Sequence, residues 1–317
     1  MNAPFPSGRV VVLTGGVGGA KLVLGLTHLI DPSLVTAVVN TGDDFRHLGL
    51  WVSPDIDTLL YTLSGKANRA QGWGREGESW SFMAALRELG GEDWFNLGDG
   101  DLALHVLRTQ ALAAGETLSA VTARVARAWG IGAAVLPMSD DPVATVVETD
   151  EGALPFQRYF VARRCQPVVR AIRFDGADAA RPAPGVVEAI LDPGTRAVLI
   201  APSNPFLSVD PVLAVPGIAA ALEAATAPVV AVSPIVGGKA VKGPTAKLMA
   251  ELGLEVTPAA VARHYGARID GFLVDERDTG AAIPVAHAFA DTLMTDLEDR
   301  RRVARAALEL ADRIAAG

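Results

Sequence analysis

The stretch Val10-Val11-Val12-Leu13-Thr14-Gly15-Gly16-Val17-Gly18-Gly19-Ala20-Lys21 decides how this chain is read. Its β-branched start predicts a buried parallel strand. The four glycines that follow predict a tight turn with exposed backbone N–H groups, and the apolar spacing of Leu22–Ile30 predicts a helix after it. A helix N-terminus offers unpaired donors and partial positive charge, so the turn is a candidate cradle for a phosphate or diphosphate, to which Lys21 adds a point charge. The plain alternative is a glycine-rich strand-to-helix turn without a ligand. The stretch lacks a terminal Gly-Lys-Ser/Thr and has Gly15-Gly16-x-Gly18-Gly19 in place of Gly-x-Gly-x-x-Gly, which disfavours an ordinary ATPase.

A second apolar strand, Val35–Asn40, completes a βαβ unit. The predicted fold is therefore α/β: a Rossmann-like, doubly wound, mostly parallel sheet, in which ligands sit beyond the C-terminal ends of the strands. That rule brings Thr14–Gly19 beside Asn40-Thr41-Gly42-Asp43-Asp44. The loop runs on to Ser53-Pro54-Asp55-Ile56-Asp57-Thr58, where Ser53 or Asp55 is the expected cap of a helix over Ile56–Leu63 and Asp57 lies on its exposed first turn. Carboxylates beside a phosphate repel it unless a divalent cation lies between them, which makes this group a candidate Mg²⁺ site as well as a set of solvated loop residues. His47 reads equally well as structural or functional.

With 317 residues, half of them apolar, the chain can bury a large core. A net charge of −8 argues against nonspecific binding to nucleic acid or anionic membrane. One cysteine, Cys165, excludes an internal disulfide and a cysteine metal cluster, fits a reducing cytoplasm, and is a poor nucleophile candidate because no histidine stands near it in sequence. The first nine residues carry no signal-peptide core, and no apolar run reaches membrane-spanning length.

Residues 65–130 lose strand character and show helical spacing in Trp80–Leu89, Leu102–Ala113 and Leu118–Trp129. They read as a helical insertion covering the active site of an α/β core formed by 1–64 and 131–317. The loops Gly72-Trp73-Gly74 and Trp94–Asp101 pair tryptophan with Asn96, Asp99 and Asp101, a combination that suits a flat polar ring as well as ordinary edge packing. A hairpin is expected from Val143–Thr149 and Phe156–Val161. Further strands are expected at Ala197–Ala201, Val229–Val232 and Gly271–Val274. Their ends carry Pro202-Ser203-Asn204-Pro205, Ser233-Pro234-Ile235-Val236-Gly237-Gly238-Lys239 and Asp275-Glu276-Arg277-Asp278. The final helix, Asp296–Ala316, is amphipathic, which points to a homodimer.

In their order and spacing, the segments Thr14–Lys21, Asn40–Asp44, Ser53–Thr58, Asn96-Leu97-Gly98-Asp99, Leu136-Pro137-Met138-Ser139-Asp140-Asp141-Pro142, Pro202–Pro205 and Ser233–Gly238 strongly resemble the CofD/FbiA family over nearly the whole chain. The resemblance implies a transferase of coenzyme F-420 biosynthesis. It would move a phosphorylated small acid (phospholactate, phosphoenolpyruvate or phosphoglycerate) from a guanosine diphosphate-linked donor to the deazaflavin Fo and release GMP, with Mg²⁺ as the ion. By the match, Asp57 and Asn96 hold Fo together with Asp99, Met138, Ser139 and Asp140. Thr14, Gly15, Gly16, Gly18, Gly19, Lys21, Ser203, Asn204 and Pro205 hold the donor nucleotide. Asn96 departs from relatives that carry a charged side chain there.

For the chemistry, Asp44 and Asp57 are the expected metal or hydroxyl-positioning groups, with Asp43 in reserve and Lys21 and Lys239 as weaker donor-charge candidates. Two rivals remain: a CofD-like nucleotide-sugar-binding regulator without transferase activity, and a nicotinamide-dependent oxidoreductase. Against the second, Asn40 stands where an acidic ribose ligand belongs.

Overall fold

The computed structural model describes residues 8–68, 71–241 and 243–317. Seven strands, β1 (Arg9–Thr14), β2 (Val35–Val39), β3 (Ala134–Pro137), β4 (Thr195–Ile200), β5 (Val229–Val232), β6 (Gly271–Asp275) and β7 (Ala286–Ala290), form one sheet in the order β7-β6-β5-β4-β1-β2-β3. Every neighbouring pair is parallel. The chain therefore winds outward from β1 in one direction and from β4 in the other, so the switch point of a doubly wound sheet lies between these two strands.

The strands are buried on both faces because their side chains alternate between two apolar layers. Val10 and Val12 of β1 join Leu22 and Leu26 of α1 (Gly16–Thr27) and Ala307 and Leu308 of the C-terminal helix (Leu297–Ala316). Val11 and Leu13 join Val198, Ile200 and Phe272 on the other face. The apolar side of the C-terminal helix, including Val303, Ala304, Leu308 and Ala311, is buried inside the chain, so it offers no surface for a second copy. Among the described residues no single helix is long and apolar enough to cross a membrane.

Several boundaries differ from expectation. Helix α1 starts at Gly16, within the glycines, and ends at Thr27 rather than Ile30. Strand Ala144–Thr149 pairs antiparallel with Gly152–Pro155 on one side and Val169–Asp175 on the other, giving a three-stranded sheet. Phe156–Val161, expected as a strand, instead runs into a single π-helical turn, Arg158–Ala162. Strand β7 was not foreseen, since Ala286-His287-Ala288-Phe289-Ala290 is poor in β-branched residues and gains its place by pairing with β6.

Residues 65–130 carry α3 (Ser81–Glu88), α4 (Asp99–Ala113) and α5 (Leu118–Ala128), after α2 (Pro54–Leu63). Leu118 and Ala126 of α5 belong to the central core layer, whereas Val52, Met83 and Leu97 form a separate small core with Phe45, Phe82 and Phe95.

Gly25 marks the closest approach of α1 to the C-terminal helix: a Cβ there would stand 2.2 Å from the Arg300 carbonyl oxygen, a backbone atom that cannot swing aside. Gly25→Ala is expected to destabilise the fold by about 1–3 kcal/mol, the usual cost of overpacking. In urea denaturation this appears as a lower midpoint with an unchanged slope.

Candidate active site

A cavity of about 700 Å³ opens beyond the C-terminal ends of β1, β4 and β5, at the switch point. One wall is the N-terminus of α1, where Gly15, Gly16, Val17, Gly18 and Lys21 face the space. Side-chain bulk is excluded at Gly18, because a Cβ would meet the Pro202 carbonyl oxygen at 2.6 Å. The Gly15 amide donates to Ser203 Oγ at 3.3 Å, and Ser203 Oγ donates back to the Gly15 carbonyl at 2.7 Å. This reciprocal pair ties the end of β1 to the loop after β4.

Asn204 Oδ1 accepts from the Phe206 and Leu207 amides at 3.0 and 3.2 Å, leaving its Nδ2 buried without a partner at a residue that lines the cavity. Lys21 Nζ donates to the Met294 carbonyl at 2.5 Å and so fastens the loop Thr292-Leu293-Met294, another part of the wall.

The first amide of α1 is already occupied. Gly16 N donates to Asp55 Oδ1 at 2.7 Å, so a carboxylate of this chain sits where the partial positive charge of the helix is strongest. Asn40 Nδ2 bridges Asp55 Oδ2 at 3.0 Å and Asp43 Oδ1 at 3.1 Å, and Gln157 Nε2 donates to Asp43 Oδ2 at 3.2 Å. Burial pushes the Asp55 carboxyl up to about 6 despite the hydrogen bonds from Asn40 and Gly16. Burial, then the charges of Asp55 and Asp44, hold the Asp43 carboxyl well above the ordinary range.

These two carboxylates fit a hard divalent cation. Both line the cavity, both are buried, and among the described residues their side-chain donors are neutral amides. Among the described residues no three acidic, cysteine or histidine side chains form a ready-made metal group. Two protein carboxylates with water and substrate phosphate oxygens filling the rest is the usual pattern for Mg²⁺.

The structure relocates several expected site residues. Asp57 lines the cavity but is not exposed: only 5 % of its surface is accessible, and its two oxygens accept from both terminal nitrogens of the fully buried Arg108. It did not stay on an open first turn because α4 packs over it. Asp44 lies behind the wall, with Oδ2 accepting from Ser53 Oγ at 2.6 Å and Trp51 Nε1 at 3.2 Å. Of the expected metal candidates, Asp44 does not line the cavity and Asp57 is paired with Arg108, whereas the reserve residue Asp43 and Asp55 line it with neutral amide donors. Ser53 precedes α2 without a side-chain cap because its hydroxyl is spent on Asp44.

Asp99 caps α3, accepting from the Ser81 and Phe82 amides at 3.1 Å, and is not part of the cavity lining. Met138 is in the core, Ser139 Oγ donates to the Arg181 carbonyl and Asp140 accepts from Ser119, so none of the three lines the cavity. Thr14, Gly19 and Pro205 support the wall from behind, and Lys239 stands exposed on a small hairpin outside the lining.

Asn96 does line the cavity, with Oδ1 accepting from Arg87 Nη2 at 3.1 Å. His47 is packed edge-on against Trp94 and Phe95, and Trp94 carries Arg158 over its ring at 4.2 Å, so this tryptophan is a structural one. The aromatic rings that face the cavity are Tyr61, Trp73, Phe95, Phe156 and Phe160. Sequence reading missed Gln157, His105 and Arg108. For the last two a signal existed: Asp101, His105 and Arg108 recur at helical spacing on one face of α4.

Residues 10–309 match the family model for 2-phospho-L-lactate transferase CofD. The chain belongs to the CofD family. It is 47 % identical to a phosphoenolpyruvate transferase of Streptomyces griseus over 97 % of this chain and 100 % of the relative. It is 46 % identical to one from Kitasatospora aureofaciens over 98 % of this chain and 99 % of the relative. Among solved structures, a UPF0052 family protein from Bacillus halodurans shares the fold, with a TM-score of 0.62 at 19 % identity, covering 95 % of this chain and 100 % of the other. As a CofD family member the protein is a transferase, and its cavity is to be read as a site for group transfer.

Asp44 supplies a pH test of this site. Burial pushes its carboxyl up to about 8 from an ordinary 3.8, against the opposing hydrogen bond from Ser53 and the Arg108 charge. The folded state thus holds the proton to higher pH than the unfolded chain does, so this contribution to stability is fullest below 3.8 and is lost as pH rises toward 8. Relative to Asp44→Asn, the wild-type melting temperature should fall steadily from pH 5 to pH 8. Differential scanning fluorimetry across that range checks the slope, and parallel curves would exclude a buried, protonated Asp44.

Proposed function

We propose that this protein transfers a phosphoenolpyruvyl unit from a guanosine diphosphate-linked donor to the terminal ribityl hydroxyl of the deazaflavin Fo, releasing GMP, in coenzyme F-420 biosynthesis. The observation that carries this reading is the meeting, in one cavity, of the α1 N-terminus, the carboxylate pair Asp43 and Asp55, and a wall of aromatic rings. The names of the relatives support the acid: those at 46–47 % identity are phosphoenolpyruvate transferases.

The amides of Val17 and Gly18 have no acceptor in the first turn of the helix and are suited to diphosphate oxygens. Asn204 Nδ2, unpartnered in the wall, supplies a further donor on the same side. Trp73, Phe95 and Phe160 offer flat apolar faces to a deazaflavin ring, and Asn96 and Gln157 offer hydrogen bonds at its edge. Mg²⁺ held by Asp43 and Asp55 would neutralise the diphosphate and lower the charge on the phosphoryl oxygens.

The reaction forms one bond, from the acceptor hydroxyl oxygen to the phosphorus that carries the acid, and breaks the bond from that phosphorus to the GMP oxygen, which leaves with the electron pair, while the hydroxyl proton is released to solvent. Little proton removal is needed before bond formation in a loose phosphoryl transition state. Asp57, at the cavity surface, accepts a hydrogen bond from the hydroxyl and aims its lone pair. Alignment by fixed groups is the main catalytic contribution such a site makes.

Incubation with Fo and the phosphoenolpyruvate-, phospholactate- and phosphoglycerate-linked donors, each followed by mass spectrometry, tests the reading. The phosphoenolpyruvate adduct and GMP are expected as main products with Mg²⁺ and not with EDTA. Absence of any adduct would overturn the proposal. Asp55→Asn should lower kcat by about 10²-fold or more, the scale on which loss of a charge-stabilising group acts.

A further inference from the structure

Below Asp57, α4 presents three polar side chains in line. His105 and Arg108 are buried, Asp101 is half-buried, and all three face α2. Tyr61 of α2 donates its hydroxyl to Asp101 Oδ1, and His105 Nε2 stands 3.1 Å from Asp101 Oδ2. On its other edge, His105 Nδ1 is 3.5 Å from Arg108 Nη1 and 3.8 Å from Asp57 Oδ2, while its Nε2, though close to Asp101, is not aligned for a hydrogen bond. Arg108 then grips both Asp57 oxygens, and its Nη1 also lies 3.5 Å from the Trp51 carbonyl. Its Nε has no partner.

A fully buried ion pair is weak evidence for stability, because the desolvation of two charges offsets most of their attraction, and well-packed apolar residues serve a fold as well or better. What a bidentate pair supplies is direction. The planar guanidinium fixes the carboxylate plane, and a side chain so held presents its remaining lone pairs at one angle.

We propose that Arg108, packed beside His105, Asp101 and Tyr61, is a positioning residue that holds Asp57 aimed at the acceptor hydroxyl. This rests on the transfer reading above. Arg108 reaches the reaction through Asp57 alone, so its loss acts on the chemical step and leaves the donor wall, built from α1 and the loops after β4 and β5, as it is.

The test is steady-state kinetics of Arg108→Gln, Arg108→Lys and His105→Gln, each corrected for the folded fraction by circular dichroism. For Arg108→Gln, kcat is expected to fall about 10²-fold, as for a small misplacement of a reacting group, with KM for the guanosine-linked donor unchanged within twofold. Arg108→Lys, which keeps the charge without the fork, should recover about a tenth of wild-type kcat. Values of kcat per folded molecule within threefold of wild type in both Arg108 variants, with only the melting temperature lowered, would overturn the proposal.

Should Arg108→Gln fail to fold, His105→Gln decides, since it leaves no buried charge unpaired. A kcat lowered about tenfold at constant donor KM supports the array, and an unchanged kcat refutes it. Wild-type enzyme is assayed alongside: failure of wild type to transfer refutes the transfer reading, whereas full activity in the variants refutes only the role of Arg108.

Discussion

Two buried carboxylates sharing one amide are the constraint on which this structure turns. Asp43 and Asp55 lean on Asn40 Nδ2, and Asp55 also occupies the first amide of α1. Such an arrangement is possible only where a helix N-terminus supplies compensating positive potential at a strand end. The parallel pairing of β1 with β2 creates that place, because it sets the end of α1's entry turn beside Asn40. Gln157, from the turn between Gly152–Pro155 and Val169–Asp175 of the small antiparallel sheet, closes the far side of Asp43. Segments more than a hundred residues apart are thus committed to one electrostatic problem, which the protein solves with amide dipoles and leaves short of full neutrality.

The second half of the site is organised differently. The walls nearest Asp57 are carried by α3, α4 and their loops, which have a small apolar core of their own around Val52, Met83 and Leu97. Two of the contacts that pin that unit to the α/β layer matter most for the cavity. One is the buried pair of Arg108 with Asp57. The other is the aromatic edge cluster in which Phe45, His47, Trp94 and Phe95 meet, closed off by Arg158 over Trp94 and its ion pair with Glu92. The exposed ion pair alone contributes little, whereas ring contacts and buried area carry the joint. The distance between the two walls therefore follows from packing.

The parts of this design that depend on local pattern were legible in the sequence. The apolar, mostly β-branched runs of β1, β2, β4 and β5, the apolar run of β6 and the helical spacing of α3, α4 and α5 are signals of sufficient length, and they yield the doubly wound architecture. What escaped was decided by pairing or by burial. Strand β7 exists because β6 has a free edge, and the π turn after Phe156 replaces a strand that alternation alone would favour. The carboxylate-rich loops showed where charge gathers, but not which oxygen faces the cavity. Asp44 and Asp57 differ from Asp43 and Asp55 only in which neighbours pack over them, Ser53 and Trp51 in one case and Arg108 in the other. Met138, Ser139 and Asp140 are spaced like a strand-end loop at a site, yet β3 lies at the far edge of the sheet from β7 and two strands from the switch point, where the geometry of a doubly wound fold places no ligand.

The carboxylate cluster also explains why a site of this kind is built at a cost to the fold. Asp43, Asp44 and Asp55 all hold their protons more tightly than free carboxylic acids, so each resists ionisation in the empty protein. Under the proposed function, a cation and a diphosphate arriving together would reverse that balance, the cation offsetting the carboxylates and the helix N-terminus offsetting the phosphate. Neither would be well accommodated alone, since the phosphate without the cation would meet Asp55 at the mouth of the cradle, and the cation without the phosphate would have Asp43 and Asp55 alone as carboxylate ligands. Binding is therefore expected to be cooperative for reasons of charge rather than of conformational change, and the stability withheld from the empty state becomes selectivity for the complete substrate complex.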